Sequence, residues 1–298
     1  MRRLRCAARF TAALAAASYL AHAGTPAFQL RDDRGVAVTL RGKPSRIAAL
    51  SPHLAEIAHA AGAGAQLAAV VRFSDYPEAV ARLPQVGDAS SLDVERILAL
   101  KPDLLLGWSS GNPAHDLERL ERLGFALFVT EPRRLADIPR IVRAVGTLAG
   151  TQSVAEPAAS ALERELDALR ARYSVRSPVR VFYQIWHRPL LTVNGAHMIS
   201  DVITLCGGRN VFADAPVLTP TVSLEAVLAA KPEVILGGSS AMQPGELAAE
   251  WRKAPVAVLR ELPVRHVAPD VIQRQTPRIV EGARAICGHL ENIRNRKP

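Results

Sequence analysis

A G-x-S-x-G segment is the clearest candidate for catalysis in this sequence. The residues from Gly107 to Gly111 read Gly-Trp-Ser-Ser-Gly after an apolar run, which matches the nucleophile elbow of serine hydrolases and would make Ser109 the nucleophile. The elbow needs a helix to begin at the serine, but Asn112 and Pro113 stand there, and no HGGG-type oxyanion segment precedes it. A serine hydrolase is therefore the unfavoured alternative, and we predict no catalytic residue and no enzyme activity.

The histidines do not form a metal-binding pattern. They lack the paired spacing on one helix face that zinc sites show, and His53 and His59, six positions apart, would point in different directions. His53, His187 and His197 each fall near a predicted strand-to-helix loop, where binding groups often lie. The sequence also has no Gly-rich phosphate loop and no dinucleotide fingerprint. We therefore predict no metal site and no cofactor.

Aromatic residues make up only 5% of the chain, yet several lie in or beside predicted strand-end loops. These residues are Tyr76, Trp108, Tyr183 and Trp186. A flat, apolar ligand would use such side chains as faces to pack against. Ordinary core or loop packing is the alternative for each of them.

An internal repeat indicates how the chain is organised. The segment 94–111, VERILALKPDLLLGWSSG, returns as 224–241, LEAVLAAKPEVILGGSSA, with nine of eighteen positions identical and a constant offset of 130 residues. Each copy predicts a capping residue (Asp93 or Ser223), a short amphipathic helix, a Lys-Pro stop, an apolar strand and a Gly/Ser turn. A unit that recurs once, far along the chain, predicts two similar lobes rather than a solenoid.

The order of predicted elements gives an α/β fold. Strand, helix and strand alternate in both halves, which predicts two Rossmann-like lobes with parallel sheets. Between them, Leu162, Leu166 and Leu169 recur at helical spacing without glycine, so we predict one long connecting helix rather than a flexible linker. The predicted segments are 1–23 (signal peptide), 24–149 (N-terminal lobe), 150–176 (connecting helix) and 177–298 (C-terminal lobe).

The N-terminus has the features of an export signal. Three arginines precede an apolar run from Phe10 to Leu20, and Ala21-His22-Ala23 follows as a small-x-small cleavage site. The run is far shorter than the ~20 residues of a spanning helix, which disfavours a membrane anchor. Cleavage near Gly24 removes four arginines and no acid, so the net charge falls from +9 to +5. This modest charge does not indicate nucleic-acid binding.

The cysteines fit an exported protein. Cleavage removes Cys6 and leaves Cys206 and Cys287 as an even pair. In an oxidising compartment this pair predicts a disulfide, with two buried free thiols as the alternative. No cysteine stands at the cleavage site, so we expect no lipid anchor.

Several motifs in a fixed order support a family resemblance. They are Leu50-Ser51-Pro52 with Glu56, Ser74 to Pro77, Leu98 to Asp103, Trp108 with Gly111-Asn112, Cys206 to Phe212, Val222 to Glu225, and Thr276 to Arg278. With them, the stretch from about Arg46 to Leu290 resembles the periplasmic cobalamin-binding proteins of bacterial vitamin importers. These belong to the helical-backbone class of binding proteins that also serve siderophores and haem. The resemblance implies a periplasmic location and a ligand cleft between two lobes.

The resemblance also implies which residues bind the ligand. The predicted set, together with the loop residues named above, is Ser51, Pro52, Tyr76, Trp108, Trp186, Leu191, Asp270 and Arg274. Leu191 replaces an aromatic residue of the second lobe, and Thr219 replaces a tryptophan, so stacking on a corrinoid from that side is weakened. Cys206 and Cys287 match the disulfide of the family. Haem or a ferric siderophore is the alternative ligand, with Tyr76, His53 or His187 as contacts.

The expected partner is the permease and ATPase complex of an ABC transporter in the inner membrane. The family docks through one exposed acid per lobe, and Glu225 matches the acid of the second lobe. Ungapped alignment puts Ala114 at the first-lobe position, with Asp116 or Glu118 as the nearest acids; we predict Asp116. The protein is expected to act as a monomer, with cobalamin as transported ligand and not as cofactor.

Overall fold

The structure is a computed structural model that describes residues 28–239 and 243–296. The predicted signal peptide and its cleavage site lie outside the described residues. Within the described part of the chain, no helix has the length and apolar character needed to cross a membrane.

The described chain begins with an antiparallel hairpin of β1 (Phe28–Arg31) and β2 (Ala37–Leu40). The elements of the N-terminal lobe follow. They are β3 (Ile47–Ala49), α1 (Pro52–Ala58), β4 (Leu67–Ala69), α2 (Glu78–Ala81), β5 (Gly87–Asp88), β6 (Ser91–Leu92), α3 (Val94–Leu100), β7 (Leu104–Trp108), α4 (Ala114–Arg122), β8 (Leu127–Thr130) and α5 (Asp137–Ala149). The main sheet is parallel, in the order β4-β3-β7-β8.

A long helix, α6 (Gln152–Tyr173), joins the lobes. It lies within the predicted connecting segment 150–176 and contains 22 residues, a length of about 33 Å. Ala155 and Ala159 on its first half pack into the core of the N-terminal lobe. Leu162 and Leu166 on its second half pack into the core of the C-terminal lobe. Because each half of the helix is held in the core of one lobe by apolar burial, α6 connects the lobes as a rigid helix.

The C-terminal lobe repeats the architecture of the first. Its elements are β9 (Val179–Gln184), α7 (Met198–Leu205), β10 (Gly208–Asn210), α8 (Leu224–Ala230), β11 (Val234–Gly237), α9 (Glu246–Trp251), α10 (Ala257–Glu261), β12 (Val264–His266), α11 (Pro269–Ile272) and α12 (Ile279–Arg294). The parallel sheet has the order β10-β9-β11-β12, which corresponds strand for strand to that of the N-terminal lobe. The predicted class of two Rossmann-like lobes joined by one helix is confirmed.

The sequence repeat forms the same helix–strand unit in each lobe. Asp93 and Ser223 cap α3 and α8 by accepting a hydrogen bond from the backbone amide three residues on. Lys101 and Lys231 end these helices in the left-handed conformation, with φ of 45° and 46°. The following strands, β7 and β11, each pair with the first strand of their own sheet. The predicted helix, stop and strand are confirmed in both copies.

The two mature cysteines form a disulfide, as predicted. Cys206 follows α7 and Cys287 lies on α12, and both are fully buried in the core of the C-terminal lobe. The bond therefore ties the last helix to the first helix of that lobe.

Two local predictions in the C-terminal lobe were wrong. The sequence Asn210-Val211-Phe212 predicts a short strand, but the strand is Gly208–Asn210, because its pairing with β9 begins at Gly208 opposite Val179. Phe212 instead packs its ring edge-on against Phe182. The sequence from Asp270 to Thr276 predicts a loop, but its first residues belong to the short helix α11, which begins at Pro269, a residue suited to the first turn of a helix.

Candidate functional site

The predicted ligand residues cluster at the carboxyl ends of strands. Ser51 and Pro52 follow β3, Tyr76 follows β4, Trp108 ends β7, Trp186 follows β9, and Asp270 and Arg274 follow β12. Leu191 lies on the returning arm of the loop after β9, where it bridges to Trp186 and Thr221. Carboxyl ends of parallel strands share one edge of a sheet, and that edge is where open α/β sheets bind ligands.

A buried ion cluster brings these edges of the two lobes together. Glu56 on α1 is only 4% exposed, and its carboxylate accepts hydrogen bonds from Arg278 Nε at 2.9 Å and Nη2 at 2.8 Å. Arg274 Nη1 donates to the same carboxylate at 3.2 Å, and Arg274 Nη2 donates to Asp75 Oδ2 at 3.2 Å. Asp270 lies 3.2 Å from the same guanidinium. The cluster therefore joins the loop after β4 and helix α1 to the segment after β12.

The contacts within the cluster favour the charged forms of Arg274, Arg278 and Asp75. The hydrogen bond to Glu56 raises the pKa of Arg278. Burial acts against the charge of Arg274, but the hydrogen bond to Asp75 and the charges of Asp270 and Asp75 outweigh it and raise the pKa of Arg274. The hydrogen bond from Arg274 in turn lowers the pKa of Asp75. The pKa of each of these three side chains moves away from neutrality, so Arg274, Arg278 and Asp75 are ionised at pH 7.

Tyr76 lies against this cluster. The guanidinium carbon of Arg278 is 4.1 Å from the centroid of the Tyr76 ring, a cation–π contact. The residue is nevertheless 47% exposed. Its ring therefore has both a fixed orientation and a free surface for a ligand.

Trp108 is held by a buried pair on α1. His53 meets the Trp108 ring edge-on, with centroids 5.0 Å apart, and its Nδ1 shares a hydrogen bond of 2.7 Å with Ser51 Oγ. Burial, with the charge of Arg274, lowers the pKa of His53 to about 3, so the imidazole is neutral. Because Ser51 and His53 are buried, the structure places them behind Trp108 rather than on the open surface.

Gly111 and Asn112, which follow Trp108 in the chain, also hold Trp108 in place. Asn112 Oδ1 accepts a hydrogen bond from the Trp108 amide at 2.8 Å, and Asn112 Nδ2 donates to the carbonyls of Leu50 and Ala89. A Cβ at Gly111 would lie 1.8 Å from a ring carbon of Trp108. The role of Asn112 was missed from the sequence, although an asparagine directly after a glycine turn is a usable signal.

The geometry of a serine nucleophile is not present at Ser109. This residue is exposed, and α4 begins only at Ala114, whereas the elbow requires a strand, the serine and then a helix without a gap. In the described part of the chain, no group of three or more histidine, cysteine, aspartate and glutamate side chains is placed to hold a metal ion.

The second lobe presents one of its predicted aromatics and buries another. Trp186 is 41% exposed, and its Nε1 donates to the carbonyl of Arg188 at 3.0 Å, which fixes the indole on the loop. Tyr183 is fully buried on β9 and belongs to the core of the C-terminal lobe. His187 lies beside Glu250, 3.7 Å away, and Thr219 is exposed.

The predicted docking acids differ in exposure. Glu225 is exposed in the first turn of α8. Asp116 is buried at 9% exposure beside His115, which does not suit an acid that must meet a partner. The repeat places Glu95 in the first turn of α3, also exposed, where Glu225 stands on α8. Glu95 is therefore the structural counterpart of Glu225.

Comparison with known proteins agrees with this architecture. Residues 47–257 match the family described as periplasmic binding protein. A vitamin B12-binding protein of Vibrio parahaemolyticus serotype O3:K6 is 36% identical over 261 residues, which span 87% of this chain and 94% of that protein. The solved periplasmic vitamin B12-binding protein of Vibrio cholerae superposes with a TM-score of 0.77 at 34% identity, covering 85% of this chain and 99% of that one.

A haem-binding protein of Roseiflexus sp. RS-1 superposes with a TM-score of 0.71 at 24% identity, covering 85% of this chain and 99% of that one. At that identity the likeness shows the fold and nothing further. The family match and the 36% identical relative each span most of the chain. The protein therefore belongs to the periplasmic binding protein family, whose members bind solutes and are not enzymes.

Proposed function

We propose that this protein captures a corrinoid, cobalamin or a close relative, in the cleft between its lobes and delivers it to the permease of an ABC importer. The observation that carries the proposal is the 36% identity, across 87% of the chain, with proteins named for vitamin B12 binding. In this proposal residues 1–23 direct export and are removed, and the mature protein acts as a periplasmic monomer.

The walls of the cleft suit a large, flat ligand with polar edges. Tyr76, Trp108 and Trp186 offer aromatic surfaces held by Arg278, Asn112 and the Arg188 carbonyl respectively. Asp270 and Arg274 add charged hydrogen-bonding groups for amide side chains at the ligand edge. Because these groups are ordered before binding, a ligand that fits loses little conformational entropy in ordering them.

Haem is the less favoured ligand because the haem-binding relative is 24% identical, against 36% for a protein named for vitamin B12 binding. Of the predicted haem contacts, His53 is not accessible to an iron atom. His53 is 3% exposed, and its Nδ1 is occupied by Ser51. Its Nε2 is buried, so an iron atom could reach it only if α1 moved. Tyr76 and His187 are the remaining contacts for haem or a ferric siderophore.

Calorimetric titration of residues 24–298 with cyanocobalamin, haemin and a ferric hydroxamate siderophore tests the assignment. We expect saturable binding of cyanocobalamin. Substitution Trp108→Ala or Trp186→Ala should weaken it by tenfold or more, since one stacked aromatic contributes ~0.5–1.5 kcal/mol in addition to the apolar area that it buries. Trp186→Phe, which keeps a ring, is the matched control. Saturable binding of haemin or the siderophore without cyanocobalamin binding would refute the proposal.

Docking to the permease involves Glu225 and its counterpart Glu95. Each lies in the first turn of an equivalent helix, so the two carboxylates present the same arrangement on each lobe. The variants Glu95→Arg and Glu225→Arg should each abolish corrinoid-dependent uptake by cells while cyanocobalamin affinity stays unchanged. Glu118→Arg, at an exposed acid on α4, serves as control. Normal uptake in the double variant Glu95→Arg/Glu225→Arg would show that these two glutamates are not required for docking.

A further inference from the structure

Glu56 is a buried acid on a helix that is otherwise part of an apolar core. It lies between Ala55 and Ile57 on α1, both fully buried. Its side chain is 3% exposed. Among the described residues, the side chains that donate hydrogen bonds to its carboxylate are Arg274 and Arg278, both from the C-terminal lobe. A carboxylate fixed in one lobe is thus neutralised by the other.

The two arginines extend from Glu56 to groups at the cleft. Arg278 makes a two-point contact with the carboxylate and places its guanidinium over the Tyr76 ring. Arg274 binds the same carboxylate and also Asp75. One side chain of the N-terminal lobe therefore orients both cations. Through them, Glu56 is linked to Tyr76 and Asp75 on its own lobe.

Separation of the lobes at this edge would leave Glu56 without its charged partners. A buried carboxylate that loses its cations is strongly disfavoured, because the protein interior solvates it poorly. The lobes are also joined by α6, which is embedded in both cores and lines one cavity together with Glu56, Tyr76 and Arg278. The Glu56 cluster is therefore a buried, charged attachment between the lobes, in addition to the connecting helix and to the exposed Arg134–Asp201 ion pair.

We propose that Glu56 is a positioning residue for the ligand cleft. By holding Arg274 and Arg278, Glu56 sets the spacing of the two lobes before a ligand binds. The identity of the ligand rests on the proposed function above, whereas the effect on lobe spacing does not depend on it. Glu56 does not itself need to touch the ligand.

The spacing of the lobes can be measured without ligand by double electron–electron resonance between spin labels on the two lobes. Suitable labelling variants are Glu118→Cys on α4 and Val258→Cys on α10, both at exposed positions, since the native cysteines are occupied in the disulfide. The otherwise unchanged protein should give a narrow distance distribution. Glu56→Gln, which removes the charge at nearly constant size, should broaden and lengthen it, and Glu56→Asp should restore part of the narrow distribution.

A matched control is available at another ion pair between the lobes. Arg134 precedes α5 and binds Asp201 on α7 at 2.6 Å, but its side chain is 59% exposed, so Arg134→Gln should leave the distribution unchanged. Should Glu56→Gln fail to fold, as judged by circular dichroism, Arg278→Gln removes the two-point contact and should give the same broadening.

Ligand binding provides the second measurement. Cyanocobalamin affinity should fall at least tenfold in Glu56→Gln, recover in part in Glu56→Asp and stay unchanged in Arg134→Gln. The proposal would be overturned if Glu56→Gln gave the same distance distribution as the unsubstituted protein. Where Arg278→Gln is used instead, the same result for that variant would overturn it. If the unsubstituted protein does not bind cyanocobalamin, the proposed function fails, while the distance measurement still decides the role of Glu56.

Discussion

The buried, neutral state of His53 predicts that the protein is destabilised as the pH falls from 7 to 5. Burial, with the charge of Arg274, lowers the pKa of His53 from 6.5 to about 3. In the unfolded chain the same side chain binds a proton below its ordinary pKa. The stability that comes from keeping His53 neutral is therefore complete above pH 6.5 and is lost as the pH falls toward 3.

The size of the effect follows from proton linkage. Between pH 7 and pH 5 one histidine with these two pKa values lowers the free energy of unfolding by about 2 kcal/mol. His197, whose pKa burial lowers to about 4, adds about 2 kcal/mol over the same interval. Asp75 and Asp137 have pKa values below the ordinary 3.8, so their stabilisation is lost only at lower pH. Burial also lowers the pKa of His289, which adds to the loss in the same direction, so the interval from pH 7 to 5 tests mainly the buried histidines.

Urea unfolding at pH 7, 6 and 5 measures the effect. The free energy of unfolding should fall by at least about 4 kcal/mol from pH 7 to 5 in the unsubstituted protein, and by about 2 kcal/mol less in His53→Gln, whatever the absolute stability of the variant. His115→Gln, at a side chain 82% exposed, should keep the full pH dependence. Equal pH dependence in His53→Gln and the unsubstituted protein would refute the neutral, buried state of His53.

Three further substitutions test the packing that supports the site. Removing the disulfide with Cys206→Ser and Cys287→Ser should lower the free energy of unfolding by up to about 4.5 kcal/mol, because the bond closes a sequence separation of 81 residues; an unchanged urea midpoint would contradict this. Gly111→Ala should cost about 1–3 kcal/mol and weaken cyanocobalamin binding, since the new methyl group overlaps the Trp108 ring. Gly288→Ala, on α12 with no neighbour within 4 Å of the added Cβ, should instead stabilise the protein by about 0.5–1 kcal/mol, and destabilisation there would contradict the helical packing described.

Local patterns in the sequence were sufficient to predict most of the helices and strands and the order in which they form two lobes. The repeat carries its own capping residue, stop and buried strand, and these depend on neighbours within a few residues, so both copies could be predicted in detail. The disulfide followed from cysteine count and export. The strand at Gly208–Asn210 was misplaced because its limits depend on pairing with β9, a contact that the apolar pattern of the segment does not contain.

The ion cluster could not be predicted in the same way. Glu56 and its two arginines are 218 and 222 positions apart, and nothing near either end of the chain identifies the other. The available signal was an acid at a buried position of an apolar helix, which requires a charged partner from elsewhere. The burial of Asp116, predicted as an exposed docking acid, has a related reason. Ungapped alignment fixes a position along the chain, whereas the exposure of a side chain depends on how α4 packs onto the sheet.

The two lobes share a framework but cannot place an aromatic residue at the same point. Trp108 at the end of β7 corresponds in the repeat to Gly238 after β11. At Gly238 a Cβ would lie 2.2 Å from the carbonyl oxygen of Val267 and 3.1 Å from a ring atom of His266, so the C-terminal lobe has no room for any side chain there. An aromatic surface on that wall must come from a different strand, and Trp186, on the loop after β9, meets this requirement. The duplication thus accounts for the equivalence of Glu95 and Glu225, and the close packing at Gly238 accounts for the difference between the two walls of the cleft.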